Sequence, residues 1–335
     1  MAVQRATGSQ TVITKNLTTQ TLRGRLLNDN PVQADRQPVL EQQNVKLIRL
    51  LEYENVSAWT QSGSEHIRTG YRPEVPSLWS CLHSWSYIHN ETVNIFTHLV
   101  GALVFFVLPL YIFKTEIPPR YKIATTADIL VCSTYFLGVA ICFTFSTIYH
   151  TFMCHSAAVR SLGVKFDYQG ILLLMWGANI PLIYYSVPCD LRAQITYWAF
   201  DTVLAGMCSY MTFHPAIEGP HLAHMRAGLF AFFGFCAVVL PNLLAILVYG
   251  FEEQSRRVGL GWIAACTLFN GTGALIYAIR FPEKWFPRTF DFFGASHQIM
   301  HVMALSAAVS FTMAMLQAFD FHHQYGRACT GGAII

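Results

Sequence analysis

The chain has 335 residues, of which 53% are hydrophobic and 12% charged, against about 45–50% and about 25% in an average soluble domain. So few charges do not coat a soluble globule of this size, and a formal charge of +3 from 22 Lys+Arg and 19 Asp+Glu leaves no basic stripe dense enough to track a phosphate backbone, which argues against nucleic acid as a partner. The first ninety or so residues are polar and mixed, while the apolar runs lie between Glu91 and Phe319, the layout of an integral membrane protein with a soluble N-terminal arm.

Residues 1–38 are rich in Thr, Gln, Asn and Arg and poor in aromatics, too polar to offset the entropy of ordering, and a disordered tail is expected. The opening MAVQRATGSQTVITK has no apolar run, so no cleavable secretory signal is expected. Residues 39–90 read as an amphipathic segment and linker. Leu40, Val45, Leu47, Ile48, Leu50 and Leu51 form an apolar stripe beside Glu41, Lys46, Arg49 and Glu52, which predicts a short helix on the membrane surface or docked on a bundle.

After Gly70-Tyr71-Arg72-Pro73 come seven apolar stretches, each near the roughly 20 residues that cross a hydrocarbon core as a helix. They lie at about Thr92 to Phe113, Ala127 to His150, Phe166 to Val187, Ala193 to Phe213, Ala227 to Tyr249, Leu260 to Ile279 and His297 to Ala318. The fold class predicted is therefore all-α, a seven-transmembrane helix bundle over residues 91–319 followed by a short tail at 320–335. Pro109, Pro181 and Pro241 fall inside spans and predict kinks, because neighbouring helices can satisfy the freed carbonyls. The nine cysteines, Cys81, Cys132, Cys142, Cys154, Cys189, Cys208, Cys236, Cys266 and Cys329, include no CxxC pair; most sit in apolar runs and read as small buried hydrophobes.

Basic residues tie between the two sets of loops, with Arg68 and Arg72 before the first span tipping the balance towards a cytoplasmic N-terminus. Sequons at Asn16, Asn55, Asn90 and Asn270 divide the orientations, because a cytoplasmic arm keeps the first three bare.

The chemistry gathers on one face whichever way the bundle points. With seven spans, the second ends in Ser146-Thr147-Ile148-Tyr149-His150, the third begins Phe166-Asp167-Tyr168 and the seventh begins Ser296-His297-Gln298-Ile299-Met300-His301. His297 and His301 stand i, i+4 on one helix face, the spacing that brings two imidazoles to one metal, and His150 supplies a third ligand. Three neutral imidazoles with an open fourth position are the ligand count of catalytic zinc, where water becomes a nucleophile near neutral pH. Asp167 is placed to accept a proton or orient that water, and Ser146, i, i+4 from His150, to bond it.

Each residue also has a plainer reading. An i, i+4 histidine pair more often packs than binds metal; Asp167 fits an N-cap of the third helix; Ser146 fits a backbone or interhelical bond. Arg226 opens the fifth span on the same face, either snorkelling or pairing with a lipid carboxylate. His98 is expected to hydrogen-bond between helices, Asp201 has no assigned partner, and His322 and His323 lie at the far face. His89-Asn90-Glu91-Thr92-Val93-Asn94 reads as an anchor with its acid at a helix start.

Gly70-Tyr71-Arg72-Pro73, HNETVNIFTHLVG, FSTIYHTFMCHS, FDYQGI, YAIRFPEKWFP and SHQIMHV together resemble, in order and spacing from Gly70 to the end of the seventh helix, the progestin and adipoQ receptor family, the haemolysin III superfamily of adiponectin receptors and fungal zinc-homeostasis membrane proteins. The resemblance implies a cytoplasmic N-terminus, an extracellular or lumenal C-terminus, and a location in the plasma membrane or an endomembrane. It further implies zinc on His150, His297 and His301, with Asp167 and Ser146 at its water. It also implies hydrolysis of a ceramide-type lipid amide to a sphingoid base and a fatty acid, with Arg226 near the fatty-acid carboxylate; Tyr168, next to Asp167, is the other substrate-binding candidate. The competing expectation is a receptor for an extracellular protein ligand, with a structural zinc stapling the second and seventh helices. A transporter is disfavoured, because no polar path leads from the site through Asp201.

Overall fold

The computed structural model describes residues 11–12, 48–61, 65–114, 120–188, 190–214 and 222–325. Most of the expected disordered tail, and the first half of the expected amphipathic helix, lie outside them. The rest of that helix is corrected: β2 (Ile48–Arg49) pairs antiparallel with β1 (Thr11–Val12), and Leu51 bridges to Tyr71 in extended backbone. The stretch ends with Tyr53–Asn55 in a 3-10 turn. Pairing of backbone groups with Thr11, Val12 and Tyr71 overrides the apolar stripe.

Helices make up the remainder. The arm carries α1 (Ala58–Gln61) and α2 (Leu78–His83). Then follow α3 (Thr92–Lys114), α4 (Thr126–Phe152), α5 (Ala157–Ser186), α6 (Leu191–Phe213), α7 (Ala223–Gly234), α8 (Leu240–Tyr249), α9 (Phe251–Val258), α10 (Leu260–Ile279) and α11 (Ser296–Tyr325). Five helical stretches are long and apolar enough to cross a membrane: Thr92–Lys114, Thr126–Phe152, Met225–Tyr249, Leu260–Ile279 and Ser296–Tyr325. The chain is an integral membrane protein, and its large exposed side chains, such as Phe106, Leu130, Val203, Leu247 and Leu268, are apolar on helix faces, as a lipid solvent requires.

The closest helix packing is between α4 and α5, and glycines permit it. A Cβ on Gly138 would stand 2.8 Å from the Leu173 carbonyl oxygen, one on Gly170 2.8 Å from Cys142 Cα, and one on Gly177 2.6 Å from the Thr134 oxygen. Small residues at such crossings let backbones approach where lipid offers no hydrophobic drive. The two helices run antiparallel along their length, from Gly163 beside Tyr149 to Tyr185 beside Cys132.

The internal prolines are handled as membrane helices handle them. Pro241 leaves the Ala237 carbonyl without its helical donor, and Asn179 Nδ2 on α5 donates to it at 2.8 Å. The chain locally widens to a π-turn over Phe235–Val239, a common accommodation of a broken ladder. Pro181 frees the Gly177 carbonyl in the same way, and Thr134 Oγ1 lies 3.4 Å from it.

Candidate metal centre

The helix that begins the site starts earlier than its hydropathy predicts. Ser156 caps α5, its hydroxyl accepting from the Val159 amide, so the polar run from Ala157 to Lys165 is helical. Asp167 therefore sits in the third turn of α5 and is not an N-cap. Its carboxyl is half-buried, facing the Ser146 hydroxyl and the His150 ring.

His150 comes from the last turn of α4, and His297 and His301 from the first turns of α11. The rings pack mutually: His150 and His297 centroids are 5.1 Å apart, His150 and His301 4.9 Å, and His297 and His301 4.8 Å. One ring nitrogen from each gathers within 4.8 Å of the others. His150 Nε2, His297 Nε2 and His301 Nδ1 are buried and have no hydrogen-bond partner. Buried polar atoms of this kind are costly unless something satisfies them; three converging imidazole nitrogens fit one metal ion. Ser146 Oγ is buried beside them, facing the Asp167 carboxyl.

The arm holds these ligands in place. Glu91 Oε2 stands 2.8 Å from His150 Nδ1, fixing the tautomer whose Nε2 faces the centre, as a carboxylate behind a metal-ligating histidine does. Glu91 is itself held by Asn94 Nδ2 at 2.6 Å. Its backbone amide donates to His89 Nδ1 at 3.1 Å; burial and the nearby Arg72 charge lower His89 to about 3, keeping it a neutral acceptor. Arg72, buried, donates to the His150 and Thr151 carbonyls at 2.5 and 2.9 Å and to Ser84 Oγ at 2.8 Å, satisfying the carbonyls that a helix end leaves open. Gly70 at φ +85° turns the arm in, its carbonyl accepting from the Asn90 amide at 3.0 Å.

On the α11 side, Glu283 accepts from the Ser296 amide at 2.8 Å and also from the Ser296 hydroxyl, placing a negative charge at the helix start. Gln298 Nε2 donates to the Asn90 carbonyl at 3.1 Å, tying α11 to the residue before Glu91. His98 meets the seventh span through its ring face, stacking flat on His301 with centroids 3.8 Å apart. Glu91 and Arg72 are the functional neighbours that sequence reasoning missed or left as anchors; the polar cluster at the start of an apolar helix was their signal.

A cavity of about 140 Å³ opens beside the triad, lined by Glu91, His150, His297, Arg72, Arg160 and Arg280 among others. Tyr168 packs edge-on against Phe230, centroids 6.0 Å apart, and lies within electrostatic reach of Arg226 and Arg280. Asp201 is buried in α6, apart from the triad, with both carboxylate oxygens unpartnered among the described residues. His323 is at the far end of α4, on Asp128.

A haemolysin-III related family profile matches residues 86–312. The chain is 35% identical over 260 residues to an "Adiponectin receptor protein" of Drosophila melanogaster, covering 78% of this chain and 57% of the relative. It is 34% identical over 260 residues to a "Progestin and adipoQ receptor-like protein" of Caenorhabditis elegans, covering 78% and 58%. An "ADIPOR-like receptor" of Saccharomyces cerevisiae is 31% identical over 278 residues, covering 83% and 86%. The chain thus spans less than two thirds of the fly and worm relatives and most of the yeast one.

Proposed function

The chain belongs to the haemolysin-III related family of membrane proteins, and on that footing we propose that it is a seven-helix membrane hydrolase that holds one zinc ion on His150, His297 and His301 and cleaves the amide of a ceramide-type lipid. The observation that carries the proposal is the convergence of three buried, unpartnered imidazole nitrogens on one point, with Glu91 behind His150 and Asp167 beside it. Two further spans, α5 and α6, complete the seven. They are 30 and 23 residues long, and α5 lies along α4 through the same depth, which supports counting it with the five more apolar helices. Residues 91–319 then form the bundle, with a cytoplasmic arm before it and an extracellular or lumenal tail at 320–335.

Zinc bound there supplies Lewis-acid activation of water and of the carbonyl under attack. Asp167 takes the proton from the attacking water and delivers it to the leaving amine. Ser146 holds the water's orientation from the helix face below His150. Glu91 keeps His150 in the ligating tautomer, and Arg72 keeps the end of α4 fixed while the lipid enters. Arg226 and Tyr168 receive the carboxylate of the released fatty acid.

Purified, zinc-loaded protein is expected to hydrolyse ceramides of several chain lengths, and Asp167→Asn to retain zinc without turnover. Equal rates in the two proteins would sink the enzymatic reading. A second reading follows from the receptor names of the relatives: zinc staples α4 to α11, and an extracellular ligand shifts the bundle between states. There Asp167→Asn leaves the ligand response intact, while His150→Ala unfolds the bundle.

A further inference from the structure

A pair of thiols outside the metal centre has a geometry that the hydrolytic chemistry does not use. Cys81 on α2 and Cys154, two residues past the end of α4, place their sulfurs 3.7 Å apart in hydrogen-bond contact. They join the arm to α4, and the arm bears Arg72 and Glu91 while α4 bears His150. The backbones are already pinned together there, the Val75 amide donating to the Cys154 carbonyl at 3.2 Å. Both thiols are buried, Cys81 fully and Cys154 at 8% exposure, but Cys154 lines the cavity that opens beside the triad, so of the two it is the one on the route by which a small oxidant would arrive. The remaining cysteines among the described residues, Cys132, Cys142, Cys208, Cys236 and Cys266, are buried within helices.

We propose that Cys81 and Cys154 are a redox-active dithiol, with Cys154 the attacking sulfur and Cys81 the resolving one, whose closure to a disulfide locks the arm across the metal cavity. The electrostatics agree with that division of labour. The hydrogen-bonded contact with Cys81 lowers the Cys154 thiol against the opposing push of burial, and the Arg72 guanidinium adds to the lowering. A guanidinium beside the sulfur favours its thiolate form, which makes Cys154 the nucleophile of the pair. Cys81 is shifted the other way, first by the same hydrogen bond and then by burial, so it stays protonated until its turn.

With a peroxide as oxidant, the Cys154 thiolate attacks one peroxide oxygen. An S–O bond forms, the O–O bond breaks and hydroxide leaves, giving the sulfenic acid. Cys81 gives its proton to that hydroxide and attacks the Cys154 sulfur; the S–S bond forms, the S–O bond breaks, and the second oxygen leaves as hydroxide and is protonated to water. Two thiols lose two electrons and two hydrogens in all, and one peroxide becomes two waters. The sulfurs must close from 3.7 Å to a bond of about 2.05 Å, a movement of the short α2 segment rather than of a membrane helix.

The test reads neither zinc nor hydrolysis, so it stands apart from the proposed function. Full-length protein in detergent is treated with hydrogen peroxide and measured by intact mass, peptide mapping and dimedone labelling. The expected result is a loss of about 2 Da, restored by dithiothreitol, with one peptide joining Cys81 to Cys154. Cys81→Ser is expected to leave a dimedone-reactive sulfenic acid on Cys154, and Cys154→Ser to give neither product. Absence of both disulfide and sulfenic acid in the wild type, or a disulfide using another cysteine, overturns the proposal. Should Cys81→Ser fail to fold, alkylation of the wild-type protein decides: labelling of Cys154 with a midpoint below about pH 8.5, the ordinary thiol range, supports the proposal, and a midpoint at or above it contradicts it.

Discussion

The two ends of α4 carry buried polar clusters that differ in one respect. At the Asp128 end the carboxylate itself is fully bonded. The carboxylate accepts from the Thr125 amide and hydroxyl at 2.8 and 2.6 Å, from the Tyr185 hydroxyl at 2.9 Å and stands 3.1 Å from His323 Nε2, while Arg120 and Asp320 pair bidentately nearby at 2.9 and 2.7 Å. At the His150 end, some 22 residues on and about 33 Å away by helical rise, the outer shell is equally well bonded through Glu91 and Arg72, but the inner atoms are not. His150 Nε2, His297 Nε2 and His301 Nδ1 are left without partners. A closed cluster fixes helices; a cluster bonded outside and open inside is built around something else.

That contrast separates the effects of substitution. The largest change is expected from Asp167→Asn, which keeps the zinc of the wild type yet lowers ceramide hydrolysis by about 10²–10⁴-fold, read in a fatty-acid release assay. At the closed end, Asp128→Ala strands the Tyr185 and Thr125 donors; stability falls by about 2–3 kcal/mol, seen as a lower melting temperature in detergent, with metal content unchanged. If zinc were lost there too, the two ends would not be independent. Glu91→Gln tests the outer shell of the open end and is expected to weaken zinc binding about 10–100-fold in a chelator competition without loss of fold. The smallest shift comes between the ends: Gly177→Ala pushes a methyl against the Thr134 carbonyl and costs about 1–2 kcal/mol in the melt, leaving metal and turnover in place.

Much of this was legible in the sequence because lipid is a demanding solvent. The ends of α3, α4 and α10 fall within about two residues of their apolar runs, and the triad is visible because His297 and His301 stand i, i+4 and share a membrane face with His150. The start of α5 was missed because Arg160, Gly163 and Lys165 make its first turns polar. Hydropathy reads the membrane and not the helix, and the capping signal was Ser156. With it falls the plainer reading of Asp167 as an N-cap, because the residue lies within the helix and faces Ser146. Glu91 was read as a dipole anchor because sequence gives no register between the arm and α4, and only tertiary packing brings its carboxylate to His150. The extended Ile48–Leu51 segment was hidden for the same reason, its partners being Thr11, Val12 and Tyr71 far along the chain.

The comparison also gives the paired thiols their interest. They sit at the open end, where the arm meets α4 below His150, so a change in their redox state acts on the same carbonyls that Arg72 holds. No equivalent joint exists among the described residues at the Asp128 end, where Cys132 is in contact with the Tyr185 hydroxyl.

The most direct measurement is elemental analysis of the detergent-purified protein by mass spectrometry, beside the His297→Ala/His301→Ala double variant, with both incubated with ceramide. The account expects about one zinc per chain with amide hydrolysis in the wild type, and loss of both in the variant. A folded wild-type protein free of zinc, or one whose zinc survives removal of both histidines, would contradict it.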